Sequence, residues 1–385
     1  CSPGDRVLLG EGLYEPGYTV NLTNGVTLAG SNATNCVIRP TGSRPAFTID
    51  GAGSCISNLT VTGGKTSGWN HGAGIVMRNG VIAHCLITNN VASGGSARAG
   101  GILLLGGTVH HSTIAFNSCG SDGGGIYIGN YGHVALTANV LIDRCLIVGN
   151  TAVNGGGIYA NGQNATGDNK FTLRHCTVAG NTATAAIGGA FFKLTSMNTV
   201  ESCIFADNVQ KTEGTQKGKP NWQIDGNSTS DKFKNCLFGN DSATTGTAPV
   251  TKGAAFKSLA NGDYHLNATS GAIDAGLVSA NVTEDLDGNP VTDGNPDIGC
   301  YEFDLSREPF SCILTYSASS IFQGATVSLS ATPVNPPAGV TLRYVWTLSD
   351  GGENVITATG AETELTLANT GTYAVILRAF DAGTD

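Results

Sequence analysis

The stretch Cys85-Leu-Ile-Thr-Asn-Asn90 returns along the chain as Cys145-Leu-Ile-Val-Gly-Asn150, His175-Cys-Thr-Val-Ala-Gly-Asn181, Cys203-Ile-Phe-Ala-Asp-Asn208 and Cys236-Leu-Phe-Gly-Asn240. Cys55-Ile-Ser-Asn-Leu-Thr-Val61 is an earlier variant, and His111-Ser-Thr-Ile-Ala-Phe-Asn117 carries Ser112 in the Cys position. A second motif sits between the copies: Ala73-Gly-Ile75, Gly100-Gly-Ile102, Gly123-Gly-Gly-Ile-Tyr127, Gly155-Gly-Gly-Ile-Tyr159 and Gly188-Gly-Ala-Phe191. The two alternate with a period of about 25–33 residues, the range of a solenoid. In a solenoid equivalent residues stack into columns, so function is read along columns. The runs are short, β-branched and bounded by Gly, Asn, Ser or Thr, and no stretch keeps helical apolar spacing. An all-β parallel β-helix follows, with three short strands per coil and coils about 4.8 Å apart.

Period-two alternation puts Cys and Ile of Cys-Leu-Ile on one face and Leu on the other. The interior is assigned to the Cys side, so Ile87, Ile114, Ile147, Val178 and Ile204 are expected to line one core. The cysteines then act as small apolar packing groups. Parallel Cβ vectors in such a column suit neither disulfides nor a four-ligand metal site. The terminal asparagines Asn90, Asn117, Asn150, Asn181, Asn208 and Asn240 are expected at a turn, where they tolerate left-handed backbone and stack their amides. The glycines mark another tight corner.

Composition agrees with a turn-dense, weakly charged surface: 55 glycines, 13% charged residues and a net charge of −9. No basic cluster speaks for nucleic acid, and no apolar run is long enough to form a membrane-spanning segment. Eleven cysteines, most of them in the column, say little about compartment.

The opening Ser2-Pro-Gly-Asp-Arg-Val-Leu-Leu-Gly-Glu-Gly-Leu-Tyr14, with Gly25-Val-Thr-Leu-Ala-Gly30, resembles the first coil of secreted bacterial right-handed β-helix proteins of the pectin-lyase-like superfamily. Asp263-Tyr-His-Leu-Asn-Ala-Thr-Ser-Gly-Ala-Ile-Asp-Ala-Gly276, Asp285-Leu-Asp-Gly-Asn-Pro290 and Asp297-Ile-Gly-Cys-Tyr-Glu-Phe303 resemble the closing segment of such surface proteins, the choice-of-anchor module. The family's small apolar residue at position 300 is Cys here. Tyr344-Val-Trp-Thr-Leu-Ser-Asp-Gly-Gly352 and Gly371-Thr-Tyr-Ala-Val-Ile-Leu377 resemble a PKD-type, immunoglobulin-like β-sandwich. The expected boundaries are 1–245 for the β-helix, 246–305 for the closing segment and 306–385 for the sandwich, with 210–229 as an excursion from one corner.

The resemblance implies a structural or adhesive protein, secreted or on a bacterial cell surface, whose partners are glycans or cell-surface proteins. One alternative is a polysaccharide lyase or glycoside hydrolase acting on polyuronates. The acid and base signatures of those enzymes are missing, and Asp143-Arg144 and Asp168 with Lys170 read as solvated corner pairs. Another alternative is a filament subunit that self-associates through unpaired β-helix ends, since no cap precedes Cys1.

Three sets of residues are candidates for chemistry. The residue after the glycine corner points outward, and its column Val76, Leu103, Tyr127, Tyr159 and Phe191 ends in three aromatics that could stack on sugar rings. Asp285, Asp287, Asn289 and Asp293 place oxygens at alternating positions around a glycine turn, as calcium ligands are placed, though no Glu stands at the twelfth position. Cys300 and Cys312 flank the linker and are candidates for a disulfide.

Overall fold

The structure, a computed structural model, describes residues 1–69, 71–129, 136, 138–161, 171–192, 198–211, 222–223, 233–239, 253–278, 282–291, 294–304, 311–316, 326–334, 341–349, 355–367 and 372–381. Residues 1–303 form one unit and 304–385 another.

The first unit is a parallel β-helix. Its strands fall into sheets of fifteen, nine and six strands. The largest sheet receives two segments from most coils, such as Ile102–Leu104 and Gly107–His110, so a coil has four short strands on three faces. In earlier coils these two segments fuse, as in Ile75–Ala83. Trp222–Gln223, expected within a corner excursion, is a strand of this sheet and pairs with Phe191–Phe192.

From Asn58 to Asp207, the described coils turn through left-handed corners at three places. Asn58, His84, His111, Arg144, His175, Ser202 and Asn235, with φ between 43° and 53°, lead from the large sheet into the nine-stranded one. Gly63, Asn89, Phe116, Gly149, Gly180 and Asp207 make the next corner. Gly72, Ala99, Gly123, Gly155 and Gly188 make the third. Seven non-glycine residues at the first corner each accept a conformation disfavoured for L-residues. They persist because the strands on either side are hydrogen-bonded to neighbouring coils.

The residue after the first corner starts the inward column. It reads Cys36, Leu59, Cys85, Ser112, Cys145, Cys176, Cys203 and Cys236, all buried. Cys55 is not a member: it lies before the corner, pairs with Val81, and leaves its expected place to Leu59. The thiols also do more than fill space. Cys85, Cys145, Cys176 and Cys203 each donate to the carbonyl two residues back, at 3.1–3.3 Å. Ser112 does the same at 2.8 Å, which is why a hydroxyl can replace a thiol there. Burial pushes the Cys85 thiol up to about 12 and those of Cys145, Cys176 and Cys203 well above their ordinary value.

Two residues on runs the Ile column: Ile38, Val61, Ile87, Ile114, Ile147, Val178 and Phe205. Ile204, expected in this core, is one residue out of phase. It faces away and packs beneath the closing segment with Leu146, Val148 and Leu237.

The asparagines Asn90, Asn117, Asn150, Asn181 and Asn208 are buried inside the second corner and are not left-handed; the residue before each is. Each Oδ1 from Asn117 on accepts both the backbone N–H and the Nδ2–H of the preceding asparagine, at 2.9–3.1 Å. Each Nδ2 also donates to a carbonyl one coil back, as Asn150 does to Ile114. The third glycine of Gly123-Gly-Gly lies against this ladder. A Cβ at Gly125 would stand 3.0 Å from Asn150 Nδ2 and 2.7 Å from the Gly157 carbonyl. The two repeated motifs are therefore two halves of one contact. Asn240 lies outside the described residues.

On the large sheet, just before the first corner, His110, Asp143, Arg174, Glu201 and Lys234 are successive partners. Charges alternate from Asp143 on, with contacts of 2.8 Å from Arg174 to Asp143 and 3.0 Å from Lys234 to Glu201.

Residues 253–303 close the unit. They cover the outer side of the nine-stranded sheet with Phe256, Leu266, Ala272, Ile298, Cys300 and Tyr301. The second unit has two three-stranded antiparallel sheets around Val327, Leu329, Tyr344, Trp346 and Leu365. The fully buried Trp346 donates its indole N–H to the Gly360 carbonyl at 2.9 Å.

Candidate functional site

The outer side of the large sheet carries the expected column Val76, Leu103, Tyr127 and Tyr159 in register. The Tyr127 and Tyr159 rings stack with centroids 5.2 Å apart and planes 6° apart. Tyr127 is only 1% exposed. Its ring lies 5.6 Å from the Arg98 guanidinium, which pairs with Asp122 at 2.9 Å. The column does not pass through Phe191: that residue pairs with Ile158, and Phe192 pairs with Tyr159. Phe191 occupies the Ile position of its own Gly-Gly-Ala-Phe motif and is in register with the Ile row. Tyr127 spends both faces on protein neighbours, and only the partly buried Tyr159 retains access.

Where the column begins, a cleft of about 290 Å³ opens on this sheet. Val76, Leu103 and Leu105 contribute apolar lining, and Arg44, Arg78 and Trp69 are also in the wall. Trp69 is 74% exposed. The Arg44 guanidinium donates to the Gly17 carbonyl, and Arg78 lies 3.8 Å from Asp50. His71, buried beside them, is held down at about 4 by burial and by the positive charge of Arg98. Trp69 carried a sequence signal that the repeat reading passed over: a large aromatic in a Gly-Trp-Asn corner, where no core demands one.

The first-corner column holds the closing segment. Arg144 donates to the Glu284 carbonyl at 3.2 Å, His175 Nδ1 meets the Asp297 carbonyl at 3.1 Å, Leu277 N–H donates to Ser202 Oγ at 2.8 Å, and Asn235 donates to the Ala275 carbonyl at 3.1 Å. Asp143-Arg144 is thus no solvated pair. Asp143 is buried, and its Oδ2 accepts from Arg144 at 2.6 Å and from Arg174 at 2.8 Å. Its carboxylate is committed to two ion pairs within the protein. Asp168 and Lys170 lie outside the described residues.

At the near end of this column stand three histidines that sequence reasoning did not single out. One nitrogen from each of His84, His110 and His111 lies within 4.8 Å of the others. His110 Nδ1 and His111 Nδ1 are 2.9 Å apart, and His84 stacks on His111 at 5.0 Å. His111 Nε2 is buried without a hydrogen bond, 3.7 Å from Glu284 Oε1. Burial and Arg144 hold His111 at about 4, and burial and His84 lower His110. The signal was present as His before Cys or Ser in consecutive copies, His84-Cys85 and His111-Ser112.

The Asp285 loop is built differently from a cation cage. Asp285 is buried, and its Oδ1 accepts N–H groups of Asp287 and Asn289, while Oδ2 accepts from Asn289 Nδ2 and Glu302 N–H, at 2.7–3.1 Å. Those four donors occupy the carboxylate lone pairs that calcium would need. Asp287 instead meets His265 Nε2 at 2.8 Å, and Asp293 lies outside the described residues. Cys300 and Cys312 are both free thiols. Cys300 is buried in the closing segment's own core, and its N–H donates to Thr177 Oγ1 of the solenoid at 3.2 Å.

Residues 24–188 match the family model for a right-handed beta helix region, and residues 314–385 match that for a PKD domain. No curated protein matches the chain. Among the described residues no helix is long and apolar enough to cross a membrane. The first span lies within the stacked coils and the second covers the sandwich around Trp346, and the pair fits an extracellular structural or adhesive role: the chain carries a right-handed β-helix region and a PKD domain.

Proposed function

We propose that this is an extracellular adhesive scaffold, secreted or on a bacterial cell surface, whose β-helix presents a glycan-binding cleft at Trp69. The observation that carries the reading is an indole, 74% exposed, in the wall of a 290 Å³ cleft that also holds two guanidiniums and an apolar floor. An indole gives a sugar ring a flat apolar face, and Arg44 and Arg78 favour carboxylate or sulfate substituents. The aromatic column proposed for this role from Tyr127, Tyr159 and Phe191 contributes through Tyr159 alone, because Tyr127 is enclosed.

An acidic glycan should then bind with an affinity that falls as salt is added, because charge pairing in a cleft open to solvent is screened. The test is a glycan array followed by calorimetry on acidic and neutral oligosaccharides, with wild type, Trp69→Ala and Arg78→Gln. Loss of binding in Trp69→Ala with unchanged melting supports the cleft. Equal binding by wild type and Trp69→Ala, or by no glycan at all, refutes it.

A further inference from the structure

We propose that His84, His110 and His111 form a binding site for a divalent transition-metal ion of the zinc class, with Glu284 as the partner that orients His111. Imidazole nitrogen is a preferred donor for zinc, copper and nickel, and three such donors leave one position open for water or another ligand. The three nitrogens already lie within 4.8 Å of one another. A tetrahedral ion about 2.1 Å from each would need them roughly 3.4 Å apart. The 2.9 Å pair of Nδ1 atoms must open slightly and the His84 ring must approach. His84 is exposed and free to do so.

The backbone fixes the approach. His84 and His111 are equivalent corner residues of adjacent coils, both left-handed, with φ of 50° and 43°. His110 ends the strand that leads into the first corner, at His111. Three histidines on two coils therefore converge because a corner turns between His110 and His111, throwing neighbouring side chains to the same place.

The surroundings also suit a cation. If His111 ligates through Nδ1, its Nε2–H points towards the Glu284 carboxylate, now 3.7 Å away. A metal-bound imidazole characteristically gives its other N–H to a carboxylate, which fixes the ring and raises its basicity. The charged groups near the site are the carboxylates of Asp143 and Glu284 and the guanidiniums of Arg144 and Arg174, so their charges cancel. Arg144 is the one that would repel the ion, and its charge is committed to Asp143 at 2.6 Å. Glu284 belongs to the closing segment, so a bound ion would also tie that segment to the coils through His111.

The test uses the full chain, stripped with chelator and titrated with Zn²⁺ against a chromophoric competitor. Co²⁺ serves as a spectroscopic probe. One equivalent should bind, and Co²⁺ should give visible d–d bands without thiolate-to-metal charge transfer. His84→Asn and His111→Asn keep a residue that tolerates left-handed backbone, so they separate ligation from folding. Each of these, and His110→Ala, should weaken binding by more than the roughly 10–100-fold expected for Glu284→Gln, which removes only the outer partner. His175→Asn, two coils further on at the same corner, should leave binding unchanged. Zn²⁺ should raise the melting temperature of the wild type and not of His110→Ala. Absence of binding in excess Zn²⁺, an unchanged equivalent in His110→Ala, or a charge-transfer band placing the ion on Cys1 would each overturn the proposal.

Discussion

At the scale of the residue, the first corner decides what each repeat letter means. Cys55, Ile204 and Phe191 were all misplaced by matching letters, and all three are corrected by counting from a left-handed residue or by strict alternation. The Cys and Ile columns were legible because alternation is a local rule. The Asn ladder was legible as a ladder but not as buried, because its burial depends on a glycine contributed by another motif. Asn150 shows the stakes. It accepts two N–H groups from Asn117 and donates to Ile114 and Asn181. Asn150→Ala orphans groups that each cost about 1–3 kcal/mol when buried, so urea titration should show a loss of about 4 kcal/mol. Cys145→Ser should cost far less, on the order of 1 kcal/mol, because the hydroxyl can keep the bond to the Asp143 carbonyl as Ser112 does to His110. The same burial predicts chemical inertness. Alkylation of the native protein, read by mass spectrometry, should modify the exposed Cys1 and spare Cys85, Cys145, Cys176 and Cys203 until the coils unfold.

At the scale of the element, the closing segment is held at one place by a titrating contact. His265 sits between Asp263 and Asp287, at 2.6 and 2.8 Å, and stacks on Tyr301 at 4.0 Å. Its bond to Asp287 raises it above the ordinary imidazole value, against the opposing effect of burial. Burial pushes Asp263 up, but the bonds from His265 outweigh this and hold it below the ordinary carboxylate value. A raised imidazole adds stability that is complete below its unfolded value of about 6.5 and fades as pH climbs through its folded value. A lowered carboxylate adds stability that fades as pH falls. The segment is therefore best anchored in mild acid, between the two. Hydrogen exchange over Phe256–Ser258 and Asp263–Leu266 should quicken as pH rises above about 6.5, beyond the chemical increase with pH, and His265→Gln should remove that excess. The effect is small because all three side chains are more than a third exposed. Sequence reading found this segment but misjudged its aspartates, since Asp-Leu-Asp-Gly-Asn spacing serves a hydrogen-bonded turn as well as a cation loop.

At the scale of the whole molecule, two units with separate cores should melt separately. Trp346→Ala removes the largest buried side chain of the sandwich and should cost that unit about 3–5 kcal/mol, leaving the solenoid transition where it was in calorimetry. Ile147→Asp places an unpaired charge in the solenoid core and should do the reverse, unfolding the adjoining coils first. The division into repeats and sandwich was legible because period and composition both change there. The cleft at Trp69 and the histidine cluster were not, because each joins residues from different coils whose meeting depends on register.

Near-identical coils invite a copying error: a chain zipping itself up could skip one turn and find almost the same partner in the next. The alternating row of Asp143, Arg174, Glu201 and Lys234 guards against it. Leave out the Arg174 coil and Asp143 lands beside Glu201; leave out the Glu201 coil and Arg174 lands beside Lys234. Like charges placed opposite one another across strands repel. Every single-coil frameshift in this stretch therefore announces itself electrostatically, while the correct frame is the one in which each charge meets its opposite.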